Sequence, residues 1–147
     1  MKKRIAFFLA VLLMVLPACK DEAAHQFKWE IGEKSNLKID STLEMSVLEK
    51  TKTTVQFQVS NPTENIYYYD KAYTLEVMQD GEWYSMDAGP GMAYTLEELS
   101  LPAGESKTDT HAWPCELFSG RFRLIKQFYL GETKNDSCII AAEFVIE

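Results

Sequence analysis

The chain has 147 residues and few side chains able to do chemistry, with three cysteines and two histidines among them. Cys19 follows Leu16-Pro17-Ala18 at the end of an uncharged apolar run. His25 and His111 have no partner ligand at helical or C-x-x-C spacing, so no metal set forms and no cofactor is expected. Ser119-Gly120 lacks the G-x-S-x-G setting of a nucleophile elbow. Glu97 and Glu98 are adjacent, diverge on a helical turn, and read as a solvated face. The pattern therefore argues against an enzyme. A pocket around His111 and Glu116 is the arrangement that would reverse that expectation.

Cys115 and Cys138 are the cysteines left if Cys19 is modified. They enclose 22 residues, and a bond between them would contribute roughly 3 kcal/mol by loop-closure entropy. An exported chain permits the bond. Geometry opposes it. A direct hairpin around Lys134 sets Cys138 opposite about Leu130 and leaves Cys115 beyond the far end, outside the roughly 7 Å Cα limit. Only a fold-back of residues 113–119 or another register would join them, so the disulfide stays open.

The elements around Cys19 explain its position. Lys2, Lys3 and Arg4 precede twelve uncharged apolar residues, Ile5 to Leu16. That run is shorter than the roughly 20 residues a spanning helix needs. A basic start, a short apolar core and a small residue before the cut make a secretory signal over residues 1–18. Leu16-Pro17-Ala18-Cys19 resembles the lipobox of bacterial lipoproteins, although Pro17 departs from the usual Ala or Ser. The resemblance implies cleavage between Ala18 and Cys19 and lipidation of Cys19. The protein is then exported and held in an envelope membrane by its lipid. With Lys20 rather than Asp at the next position, that is the outer membrane if the host has two.

Cleavage removes three of the 15 basic residues and none of the 22 acidic ones, leaving a net charge of −10. An acidic chain without a basic run excludes nucleic acid as a partner. The remaining 129 residues suffice for one core. Residues 19–35 read as tether and leading strand, and residues 36–147 as the domain.

Alternation at period two dominates that domain. Phe27, Trp29 and Ile31 share one side. Leu43, Met45 and Val47 do the same, and Val55, Phe57 and Val59 follow across a polar turn. Asp80-Gly81 between two strand-like runs marks a hairpin. Thr95 to Leu99 suggests one helical turn, with Thr95 and Glu98 as a capping box. In Gly120 to Leu130, Phe122 and Leu124 point inward and Arg121, Arg123 and Lys126 outward. The Leu124-Ile125 doublet there implies a bulge or a strand covered on both faces. The expected fold is all-β, an immunoglobulin-like antiparallel β-sandwich of about seven strands.

The ordered set Asn61-Pro62-Thr63, Tyr69 and Tyr73-x-Leu75-Glu76, Asp80-Gly81-x-Trp83, Leu101-Pro102-Ala103-Gly104-Glu105, Gly120 to Lys126 and Ala142 to Ile146 resembles the bacterial Ig-like domains of exported proteins. The resemblance spans roughly residues 40–147. Phe122 stands where the family usually has Tyr. It implies a sandwich without catalytic residues, and so a binding or scaffolding domain. Its partner would be an envelope protein, peptide or glycan, met while the lipid holds the membrane. Tyr67, Tyr68 and Trp83 flank the predicted hairpin and are the expected contact surface. The alternative is an Ig-like proteinase inhibitor acting through an exposed loop, Asp87 to Tyr94.

Overall fold

The computed structural model describes residues 27–89, 94 and 97–147. Ten strands form two antiparallel sheets: β1 (Glu30–Lys34), β2 (Glu44–Lys50), β3 (Thr54–Ser60), β4 (Tyr67–Tyr69), β5 (Thr74–Gln79), β6 (Glu82–Asp87), β7 (Leu99–Leu101), β8 (Ser106–Ala112), β9 (Gly120–Leu130) and β10 (Asp136–Ile146). Seven of them have six or more residues, and β1, β4 and β7 are shorter. The small sheet runs β2-β3-β8. The large sheet runs β1-β6-β5-β9-β4-β7, with β10 along the other edge of β9.

Local sequence explains the clearest elements. In β3, Val55, Phe57 and Val59 are buried and Gln56 and Gln58 half-buried, as alternation requires. Asp80 and Gly81 both have positive φ, 50° and 82°, which a two-residue turn between β5 and β6 demands. β2 slips register between Val47 and Glu49, and the extra Leu48 is pushed into solvent.

β9 is the axis of the large sheet. It pairs with β10 over its whole length, and with β5 and β4 on its other edge. Its register is unbroken through Leu124-Ile125, so the doublet is not a bulge. The strand is covered on both faces: Phe122, Leu124 and Phe128 enter the core, while Arg123 and Ile125 are buried on the outside.

A strap covers that outer face. Ser35 N–H donates to Trp83 O at 2.8 Å beside β6, and Asp40 N–H donates to Ile139 O at 2.7 Å on β10. Between them the chain crosses β5 and β9, and Leu37 borders Ile125, Gln127 and Ile139. Asp40 also accepts from Ile139 N–H through Oδ2, which fastens the strap to the edge of β10.

Several sequence expectations are corrected. Ile31 is exposed, because β1 is an edge strand exposed along its length. Leu99 belongs to β7 rather than to a helical turn, held by pairing with Tyr69, while Thr95 lies outside the described residues. Lys126 points inward, in phase with Leu124 and Phe128, because its ammonium finds backbone carbonyls inside. Cys138 pairs with Phe128, two residues from the expected position.

Asn61 joins the two sheets at one end. It is 1% exposed. Its amide donates to the carbonyls of Asn65, Leu101 and Pro102, and its Oδ1 accepts from the N–H and hydroxyl of Thr63. Two protons over three acceptors require a shared bond. Gly104, in the left-handed region at φ 71°, donates its N–H back to Asn61 O.

The outer-face ion pair sets a test. Arg123 donates to Glu76 at 2.5 Å, both are buried, and the guanidinium lies 4.6 Å over the Trp83 ring. Removing one partner strands a buried charge, whereas replacing both by apolar groups does not. Glu76→Gln is expected to cost about 3–5 kcal/mol in urea unfolding, and Glu76→Leu with Arg123→Met to recover most of it. A single-mutant loss below about 1 kcal/mol contradicts the assignment.

Candidate functional site

The fold scatters the residues expected to do chemistry. Cys19, Ala18 and the signal lie outside the described residues, as does His25. Residues 90–93 of the Asp87–Tyr94 loop also lie outside them. Cys115 and Cys138 are both free thiols. Cys138 sits beside Tyr67, opposite Phe128. Cys115 lies in the segment entering β9 at Gly120, and its carbonyl accepts from Trp29 Nε1 at 3.1 Å. Gly120 pairs with Ile146, eight residues along β10 from Cys138. Burial pushes both thiols up, Cys138 to about 11 with Asp40 adding to the rise. Cys138 is buried and Cys115 half-buried, and a thiol whose pKa is raised by burial is a poor nucleophile. Among the described residues no cluster of His, Cys or carboxylates is placed to hold a metal.

The expected contact surface divides. Tyr67 is buried in the core, because its pairing with Leu101 and Leu130 turns the ring inward. Tyr68, its neighbour, turns outward and is half-buried. Trp83 is half-buried on the same outer face, its ring taken by Arg123. Tyr68 and Trp83 remain available for contact, and Tyr67 does not.

Sequence reasoning missed an interior polar cluster between the sheets. Lys126 is 1% exposed and donates to the carbonyls of Asp70 and Ala72, each at 3.0 Å. Its ammonium lies 5.8 Å from the Phe57 ring centre and 5.7 Å from that of Tyr69. Burial lowers its pKa to about 8, with Asp109 and Asp70 opposing the shift. His111 stacks between Phe57 and Tyr73, with ring centres at 5.1 and 4.6 Å. Burial, then Lys126, lowers its pKa to about 4. Tyr73 also meets Trp113 and Tyr94 edge-on, and burial raises its hydroxyl pKa strongly. The phase of Lys126 against Leu124 and Phe128 was the available signal, overridden by its charge.

This cluster is structural rather than catalytic in form. His111 is neutral and buried, and Glu116, the other half of the pocket an enzyme would need, is exposed. Trp113 plugs the core, stacked on Phe144 at 6.3 Å and met edge-on by Trp29 at 6.2 Å.

Among the described residues, an open cleft of about 510 Å³ lies between β2 and β10, lined by Val47 to Thr51, Glu143 and Phe144. Two less open clefts lie on the outer face of the large sheet. One, of about 350 Å³, lies between the strap and the β4–β5 link, with Ile125, Gln127 and Tyr129 beneath. The other, of about 190 Å³, is lined by Tyr68, Tyr69, Asp70, Glu98, Tyr129 and Lys134. Lys134 forms an ion pair with Glu98.

His111 makes stability depend on pH. Between its unfolded value of 6.5 and its folded value of about 4, the unfolded chain binds a proton that the folded chain does not. The contribution is complete above the unfolded value and falls as pH drops through this window, by up to about 3 kcal/mol. Urea midpoints of wild type and His111→Phe at pH 7 and 4.5 check this. The variant should lose distinctly less on acidification, and equal losses would contradict it.

The family model of the bacterial Ig-like domain matches residues 34–145. No curated protein matches the chain. A solved structure described as the X-ray structure of Northeast Structural Genomics Consortium target SoR45 is similar at 12% identity, with a TM-score of 0.40, covering 82% of this chain and 85% of that one. The family match runs from the last residue of β1 to the penultimate residue of β10, and so takes in the strap and both sheets. The chain belongs to the bacterial Ig-like domain family, whose modules are generally non-catalytic and suggest binding or scaffolding.

Proposed function

We propose that this protein is a lipoprotein that holds a non-catalytic Ig-like binding module at the cell envelope. The observation that carries the reading is the sequence Leu16-Pro17-Ala18-Cys19, preceded by a signal-like segment and followed closely by the sandwich. Cys19 stands eight residues before Phe27, where the described domain begins. Eight residues reach at most about 28 Å. A lipid on Cys19 would therefore keep the module within a short distance of the headgroups. Confinement of that kind raises the effective concentration toward a partner in the same envelope.

The geometry supports the non-catalytic half of the reading. His111 and Lys126 are buried between the sheets, burial pushes the thiols up, and the clefts of the outer face are lined by rings beside amide and carboxylate side chains. Clefts with a few polar groups beside apolar walls suit recognition.

Metabolic labelling with an alkyne fatty acid, followed by membrane fractionation, tests the anchor. Wild type should take the label and partition with membranes. Cys19→Ala should lose the label entirely, and the processed form should no longer arise. An unlabelled wild type would sink the reading.

A further inference from the structure

We propose that the outer face of the large sheet is a binding groove for a neutral oligosaccharide, with Tyr68 and Tyr129 as its aromatic platform. The proposal rests on the reading of the domain as a binding module and names the ligand class. The two clefts share Asp70 and Tyr129, so they adjoin along the same face. Together they reach the size range of ligand sites.

The platform is built by register. Tyr68 lies directly opposite Tyr129. Their neighbours Tyr67, Tyr69 and Phe128 are buried in the core, so alternation turns Tyr68 and Tyr129 to the outside. Opposed residues on one sheet face stand about 5 Å apart, which makes the two rings a continuous apolar surface. Ile125 is covered by the strap at 4% exposure, and Leu37 of the strap forms a wall that is 40% exposed.

Polar groups border these rings. The Asp70 carboxylate is oriented by Ala72 N–H, which donates to Oδ1 at 2.8 Å. The Gln127 amide and the Thr74 hydroxyl are exposed beside the floor. A sugar ring presents an apolar C–H face for stacking and an equatorial fringe of hydroxyls. The carboxylate accepts from that fringe, while the amide and the hydroxyl can both donate to it and accept from it. The surface lacks what an anionic ligand needs. Among the described residues lining the groove, Lys134 is the one cation, and Glu98 neutralises it. The processed chain, with 12 basic and 22 acidic residues and so a net charge of −10, also repels anionic polymers.

The test uses the full processed chain in detergent micelles, titrated calorimetrically with chitohexaose, cellohexaose and maltohexaose. A lysine-rich decapeptide represents a cationic peptide. At least one sugar should bind, and Tyr129→Ala and Tyr68→Ala should each weaken it by about tenfold or more. Gln127 is exposed, so Gln127→Ala leaves the fold intact and should weaken binding several-fold. Phe118→Ala, an exposed ring outside the groove, should leave it unchanged. Thermal unfolding of each variant confirms the fold. Absence of binding with all three sugars overturns the proposal, as does sugar binding that survives both tyrosine variants, or binding of the decapeptide alone. The calorimetric result does not depend on where the protein resides, so it fails separately from the anchoring reading.

Discussion

Strand β9 must bury two cations, one on each face, and the rest of the sandwich is arranged around satisfying them. Arg123 on the outer face meets Glu76 of β5 and stacks on Trp83 of β6. Lys126 on the inner face takes the carbonyls of Asp70 and Ala72. Both solutions draw on the strands lying along the same edge of β9. The first fixes β5 and β6 against it. The second fixes the link between β4 and β5, two strands that share that edge in tandem. A buried ion pair is poor evidence of net stability, since desolvation offsets most of the attraction. It is better evidence of specificity. A slip of β5 by one residue would turn Glu76 to the core and leave Arg123 unpaired, so the pair selects one register.

Two further devices close the ends that β9 does not reach. Asn61 ties the end of β3 to the loops preceding β4 and following β7, joining the small sheet to the large one. The strap between Ser35 and Asp40 crosses from the β6 side to β10 and covers the outer face. Without it, Ile125 would present its apolar side chain to water in the middle of a sheet face, where it is 4% exposed. The strap thus makes a third layer over part of a two-layer fold, and this layer creates the wall of the outer groove.

Much of this architecture was legible in the sequence where alternation was clean. β3 and the β5–β6 hairpin could be read directly, because one face of β3 is wet and because Asp80-Gly81 has one favoured turn geometry. β9 was harder, since a strand covered on both faces loses its period. Its five consecutive buried residues include two cations, which pattern reading assigns to solvent. Lys126 is placed inside by carbonyls more than 50 residues upstream in the chain, and local sequence contains no trace of them. The tyrosine run showed a similar limit. Composition identified Tyr67 and Tyr68 together, but only pairing with Leu101 and Leu130 decides that Tyr67 is the buried one. β7 could not be recognised from three residues whose extended form depends on β4.

These constraints bear on what the outer face can do. Recognition by a shallow surface gains little from depth, so it depends on how little freedom the contacting groups lose. Tyr129 is paired on both sides, with Ser137 of β10 and Tyr68 of β4, one residue before the last register pair of β9 with β10. Asp70 is held twice, by its carboxylate to Ala72 N–H and by its carbonyl to Lys126. The interior lysine therefore does more than fill the core. By fixing the carbonyls of Asp70 and Ala72, it positions the backbone that borders the groove on the opposite side of the sheet. A buried charge that costs stability is, in this arrangement, the element that makes an otherwise exposed connection rigid. The same logic relates the strap to Ile125: a segment with few buried residues of its own is kept in place by hydrogen bonds at its two ends and, once there, gives a sheet face one wall of a cleft.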